Sequence, residues 1–161
     1  MIFNYKNITP ESLNKKLNNT LASHLGMEIS EIGKDYVIMK MPVDSRTKQY
    51  YGILNGGASL ALAETVGSIA SNLAVNFEKR CIGLEINGNH LKAVSEGFVY
   101  AKATPVHIGK STHVWQVFIN DEKENLVCIC RLTMAIFDKK DYCKHQTLYI
   151  GKIKVAAIYT A

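Results

Sequence analysis

No stretch of this 161-residue chain is apolar for long enough to cross a membrane as a helix. The longest candidate, Ile69 to Val75, is broken by Ser71 and Asn72. The opening residues, MIFNYKNITPESLNKK, lack the basic start and apolar run of a secretory leader, so the expected compartment is the cytoplasm. Cysteine is scarce, and Cys81, Cys128, Cys130 and Cys143 fall at spacings that suit neither a zinc site nor a disulfide framework. They are expected as free thiols, with Cys128 and Cys130 on one face of a strand. The histidines, His24, His90, His107, His113 and His145, form no metal-binding pair, so no metal is expected. Repeats, linkers and low-complexity tracts are also missing.

What is present is ordinary for a globular domain: 47% hydrophobic and 20% charged residues. The length suits one domain that buries roughly two thirds of its surface. The net charge of +5 invites a nucleic-acid reading, but its distribution weakens it. Residues after Phe137 carry five lysines and two aspartates, and the rest carries fourteen basic and twelve acidic residues. No basic run interleaved with aromatics appears. A modest positive bias is enough for a phosphorylated small ligand.

The pattern of elements is α+β. Thr9, Pro10 and Glu11 make a helix start, Leu13, Leu17 and Leu21 repeat every four residues, and Gly26 is a stop. One amphipathic helix of moderate length is expected there. Asp35–Val43 reads as a strand. A polar loop, DSRTKQYYGILNGG, leads into a helix from about Ala58 to about Val75, which contains no proline. Four strands follow, Cys81–Leu91, Phe98–Val106, Thr112–Asn120 and Leu126–Phe137, separated by short turn segments. Consecutive strands with short turns predict an antiparallel meander with the helix packed on one face. In the tail, YIGKIKVAAIY is open between an extra edge strand and a frayed end.

The central helix carries one acid. Leu62, Val66, Ile69 and Leu73 form an apolar stripe, and Ala63, Gly67, Ala70 and Ala74 a small-residue stripe suited to close approach of another backbone. Glu64 shares its side with Leu60, Ser68 and Ser71. A buried, unpaired carboxylate costs several kcal/mol, so Glu64 either reaches solvent, bonds to Ser68, or does chemistry. The preceding Asn55-Gly56-Gly57 favours chemistry. The first amides of a helix lack internal partners and attract negative charge, and glycine lets a ligand approach them. An oxyanion donor at Gly56 and a base or nucleophile at Glu64 are the parts that acyl transfer requires. They are eight residues apart, about 12 Å along one helix, so one carbonyl cannot meet both. The site closes only if Gly56 of one subunit meets Glu64 of another, which requires at least a dimer.

Four segments, VDSRTKQYYGILNGGASLALAETVGSIAS, GLEINGNHLKAVSEG, PVHIGKSTHVWQV and RLTMAIF, resemble the hotdog-fold acyl-CoA thioesterases, in their phenylacetyl-CoA thioesterase-like branch. The resemblance covers roughly residues 10–137 and implies a hotdog domain over 1–137, an antiparallel sheet wrapped around a long central helix. Residues 138–161 are then a tail of unassigned role. It implies hydrolysis of an acyl- or aroyl-CoA, such as 1,4-dihydroxy-2-naphthoyl-CoA of menaquinone synthesis, by a homo-oligomer whose expected form is a tetramer. Coenzyme A would be part of the substrate, with no separate cofactor, membrane or nucleic-acid partner.

By that resemblance the Gly56 amide polarises the thioester carbonyl and Glu64 of the partner attacks it or activates water. Gln49 contacts the thioester, Ser68 supports the carboxylate or the water, and His90 faces the acyl group. Lys92 and the loop His107, Gly109, Lys110 and Ser111 meet the coenzyme A phosphates. The branch usually has His-Gly-Gly where this chain has Asn55-Gly56-Gly57. Asparagine can donate and accept but does not titrate. Either Asn55 keeps the loop geometry while Glu64 and the amide do the chemistry, or activity is retuned or replaced by simple binding of a coenzyme A ester. A hotdog dehydratase would need a different histidine motif, which is absent.

Overall fold

The structure, a computed structural model, describes residues 2–3, 8–139, 147–150 and 153–156, the last two stretches in backbone only. Its centre is a helix, α3 (Gly56–Ala74). Asn55 caps it: the backbone is extended there, and Oδ1 accepts from the Gly57 amide at 2.7 Å. Both glycines therefore lie inside the first turn, two residues earlier than the sequence pattern suggests. At the far end, Asn76 and Phe77 have positive φ (50° and 57°), and the Phe77 amide bonds back to the Asn72 carbonyl at 2.8 Å. That left-handed cap ends the helix.

The described residues form eight strands: β1 (Glu28–Ile32), β2 (Val37–Pro42), β3 (Lys79–His90), β4 (Phe98–Ile108), β5 (Thr112–Asp121), β6 (Leu126–Asp138), β7 (Thr147–Ile150) and β8 (Ile153–Ala156). The first six make one antiparallel sheet in the order β1-β2-β4-β5-β6-β3. The expected meander holds for β4-β5-β6 only. β3 does not pair with β4; the connection from Leu91 to Gly97 carries the chain past the sheet, and the long β6 pairs with β3 on its other side. β3 is thus an edge. β1 is a strand the pattern missed, because Glu28, Ser30 and Glu31 make it look polar; charge is typical of an exposed edge. β7 and β8 pair antiparallel with each other and, among the described residues, with no strand of the main sheet, so neither is the extra edge strand that the pattern left open.

The N-terminal helix is not continuous. It is α1 (Pro10–Asn14), a 3-10 turn (Lys15–Leu17) and α2 (Leu21–His24). Asn19 takes φ 61° and Thr20 opens a fresh capping box with Ser23, which breaks the run. Gly26, at φ 70°, does end it.

The core lies between α3 and the sheet. Leu62, Ala63, Val66, Ala70 and Leu73 are fully buried against Trp115, Val117, Leu132 and Met134. A methyl on Gly67 would come within 2.4 Å of Leu132 Cδ2, so the glycine is what lets helix and sheet touch. This corrects one expectation: the small-residue stripe packs on the chain's own sheet and is not free for a second helix. Ser71 also faces the core, away from Glu64. Its Oγ accepts from Trp115 Nε1 at 2.6 Å and lies 3.3 Å from His113 Nδ1.

Candidate active site

Glu64 stands on the outward side of α3 and is exposed. Its carboxylate is laid on β3: a methyl on Gly83 would meet Glu64 Oε1 at 2.5 Å. Gly83 sits at a register shift between Gly83 and Glu85, a bulge of the kind found beside active sites. A glycine inside a strand is itself a sign of close approach, and this was the signal available in the sequence for a residue that reasoning from motifs missed. Ser68 is one turn further along the helix. Its hydroxyl lies 3.8 Å from Met134 Sδ. Glu64 and Ser68 line a cleft of about 520 Å³ between α3 and the N-terminal segment, with Leu17 and Leu21 opposite.

Gly56 belongs to a second, smaller cleft of about 290 Å³, lined also by Gln49, Ser59, His90, Leu91 and Lys92. Its amide has no acceptor among the described residues, as expected of the first helical position. His90 lies close against Gly56: a methyl there would be 2.7 Å from Nε2. The loop that carries Gln49 is tied down from several sides. Buried Thr47 donates to the Pro42 carbonyl at 2.7 Å, and its own carbonyl accepts from the Asn55 amide at 2.9 Å. Gly52, at φ 80°, closes a turn on the Gln49 carbonyl, and Tyr50 and Tyr51 stand exposed at the tip with their rings 3.9 Å apart.

Gln49, Gly56 and His90 therefore come together, as do Glu64 and Ser68, but the two groups line different clefts. The separation follows from the helical rise, about 12 Å over eight residues. Asn55 is committed to the cap through Gly57.

Lys92 is engaged elsewhere. Its Nζ is 2.8 Å from Asp121 Oδ2, and Asp121 also accepts from the amides of Lys123 and Asn125 and from the Asn125 side chain. The Lys92 ammonium and these donors hold the Asp121 carboxyl well below the usual carboxylate range. His107, Gly109, Lys110 and Ser111 lie at the β4–β5 turn, where the Gly109 amide bonds to the Thr112 carbonyl and the Ser111 carbonyl accepts from Ile136. His107 folds over Gly109, and Lys110 is exposed. Beneath this turn His113 is buried. Desolvation lowers its pKa, a hydrogen bond that the ring donates to the Gly109 backbone opposes the shift, and His107 adds to it. Cys128 and Cys130 face the core with sulfurs 3.5 Å apart, and Cys81 is a third free thiol, pushed up to about 11 by burial. Cys143 and His145 lie outside the described residues. Among the described residues no helix is long and apolar enough to cross a membrane.

The thioesterase superfamily model matches residues 51–128. Over 131 residues the chain is 45% identical to the 1,4-dihydroxy-2-naphthoyl-CoA hydrolase of Escherichia coli strain K12, covering 81% of this chain and 96% of that protein. It is 41% identical, also over 131 residues, to the proofreading thioesterase EntH of Cronobacter turicensis, again covering 81% and 96%. The crystal structure of a thioesterase from Haemophilus influenzae superposes with a TM-score of 0.83 at 46% identity, over 86% of this chain and 96% of that one.

Proposed function

The chain belongs to the thioesterase superfamily, has the hotdog fold and hydrolyses thioesters; from that premise we propose that its substrate is the coenzyme A ester of an aromatic or aliphatic acid. Water and the acyl-CoA give the free acid and the coenzyme A thiol. The Gly56 amide, unpaired at the start of α3, receives the charge that builds on the thioester oxygen. Glu64 attacks the carbonyl carbon or takes the proton of the attacking water. Gln49 and His90 flank the amide and orient the thioester, and Ser68 steadies the carboxylate side. Lys110, with His107 and Ser111, receives coenzyme A phosphates. No resident cofactor is needed for these steps, and free thiols at Cys81, Cys128 and Cys130 suit a cytoplasmic enzyme.

The observation that carries this reading is the division of the catalytic parts between two clefts. A carbonyl can reach both only when Gly56 of one copy faces Glu64 of a second, so the working form is a homo-oligomer. The surface that supports such an assembly is the β3 edge, twelve residues long with Leu84 63% exposed and Ile82 beside it. A tetramer would pair two such dimers. The 1,4-dihydroxy-2-naphthoyl ester, named for the Escherichia coli relative, is one candidate substrate.

The test is thiol release from a panel of aroyl- and acyl-CoA esters by wild type and Glu64→Gln. General-base or nucleophilic participation is worth about 10²–10⁴-fold or more, so the variant should lose at least two orders of magnitude in kcat with its thermal stability unchanged. A fully active Glu64→Gln protein would refute the assignment.

A further inference from the structure

The cleft at Glu64 is longer than the reaction needs. On the helix side it runs from Ala61 to Asn72, eleven residues or about 16 Å. Glu64 lies near one end, which leaves about 12 Å between the carboxylate's turn and Asn72. The opposite wall is Leu17 and Leu21 of the N-terminal segment, and Leu21 is 61% exposed there. Half-buried Ile69 lines the floor part-way along.

Three polar side chains of this cleft are occupied by their own backbone, and the Ser68 hydroxyl lies against Met134 Sδ. Thr65 Oγ1 donates to the Ala61 carbonyl at 2.7 Å, Thr20 Oγ1 to the Leu17 carbonyl at 2.5 Å, and Asn72 Nδ2 to the Ser68 carbonyl at 2.8 Å. Among the described residues Glu64 is the one charged residue lining it, with no cation beside it to receive a phosphate or a second carboxylate. A coenzyme A phosphate does not belong there. An uncharged, elongated, apolar group does.

We propose that this groove is the acyl channel, that it takes an unbranched aliphatic acyl group of medium length, and that Leu21 and Ile69 set its width and depth. The inference rests on Glu64 being the reacting carboxylate. From there, about 12 Å of groove accommodates an extended chain of about eight to ten carbons, beyond the reach of a single aromatic ring. The break in the N-terminal helix at Asn18–Thr20 then has a consequence: it turns α2 so that Leu21 faces α3 across the cleft.

The experiment measures kcat/KM by thiol release on the full-length protein with acetyl-, butanoyl-, octanoyl-, decanoyl-, hexadecanoyl- and benzoyl-CoA. Wild type should rise from acetyl to an optimum at octanoyl or decanoyl and fall by hexadecanoyl. Ile69→Trp fills the channel about 7.5 Å beyond Glu64 and should lower the decanoyl-to-butanoyl ratio at least tenfold. Leu21→Trp, at an exposed position that the fold tolerates, should shift the same ratio in the same direction. Turnover that ignores chain length, a benzoyl ester at least tenfold better than every aliphatic one, or variants that depress all esters equally would overturn the channel while leaving Glu64 in place. Wild-type turnover that survives Glu64→Gln would instead remove the site on which the channel rests.

Discussion

Replacing Ser71 by alanine tests how the helix is bolted to the sheet. The Ser71 hydroxyl is buried and accepts the Trp115 indole N–H at 2.6 Å, with His113 Nδ1 at 3.3 Å on its other side. Trp115 is also fully buried, so the alanine leaves its N–H with no partner and no water. An abandoned buried donor costs about 1–3 kcal/mol, and about 2 kcal/mol is the working value here. For a domain of this length each kcal/mol moves Tm by about 2–4 °C, so Ser71→Ala should melt about 4–8 °C below wild type. Denaturant unfolding should give the same loss with an unchanged slope. Trp115→Phe on both backgrounds completes the cycle: with the donor gone, the serine should matter little, and the coupling should be about 1–2 kcal/mol. A Ser71→Ala protein within about 0.5 kcal/mol of wild type would show that the indole finds another acceptor and would refute the argument.

Three further outcomes follow from the same structure. His113, held neutral by burial, has a folded pKa below its usual 6.5. The unfolded chain therefore binds the extra proton first, and the contribution of His113 to stability is complete above about 6.5 and lost as pH falls through the lower folded value; Tm measured from pH 7.5 to 5 should fall less steeply in His113→Gln than in wild type. Gly83→Ala places a methyl 2.5 Å from Glu64 Oε1, so it should cut kcat at least tenfold through displacement of the carboxylate while changing Tm by only a few degrees; equal kcat would mean that the carboxylate leaves Gly83 when substrate binds. Lys92→Ala should leave the KM for acyl-CoA within about twofold and lower stability modestly, because the ammonium is spent on Asp121; a KM rise of tenfold or more would return Lys92 to the coenzyme A phosphates.

Much of the fold could be read from local pattern. The proline-free run after the paired glycines, the strand-like Asp35–Val43 and the β-rich segments from Lys79 onward each carry their own chemistry, and α3 and five strands fall within a few residues of expectation. Where the reading failed, the deciding force was not local. β1 has the composition of a loop and becomes a strand because β2 offers it a ladder. The pairing of β3 with β6 in place of β4 is set by a crossover that short-turn logic does not anticipate. The leucine repeat at 13, 17 and 21 suggested one helix, but Asn18-Asn19-Thr20 offered the backbone a left-handed residue and a new cap, and that stronger local signal won.

The small-residue stripe is the most instructive of these cases for the site. Helix periodicity can say that Ala63, Gly67 and Ala70 share a face, but not which neighbour lies against it. The sheet takes that face, with Leu132 pressed into the notch at Gly67. The opposite face, with Glu64 and Ser68, is left open as a consequence. A helix that spends its smallest residues on its own sheet cannot also use them for a partner. If a second copy completes the site, it therefore has to come in along β3, whose free edge runs past Gly83 beside Glu64 and on to His90 beside Gly56. That one strand touches both half-sites. An antiparallel pairing of two β3 edges would carry each Gly56 towards the other copy's Glu64 in a single operation. Leu84→Lys at the exposed middle of the edge should therefore dissociate the oligomer and abolish turnover together, with sedimentation and thiol release measured on the same sample. Activity that persists in a monomer would break the link between the two half-sites.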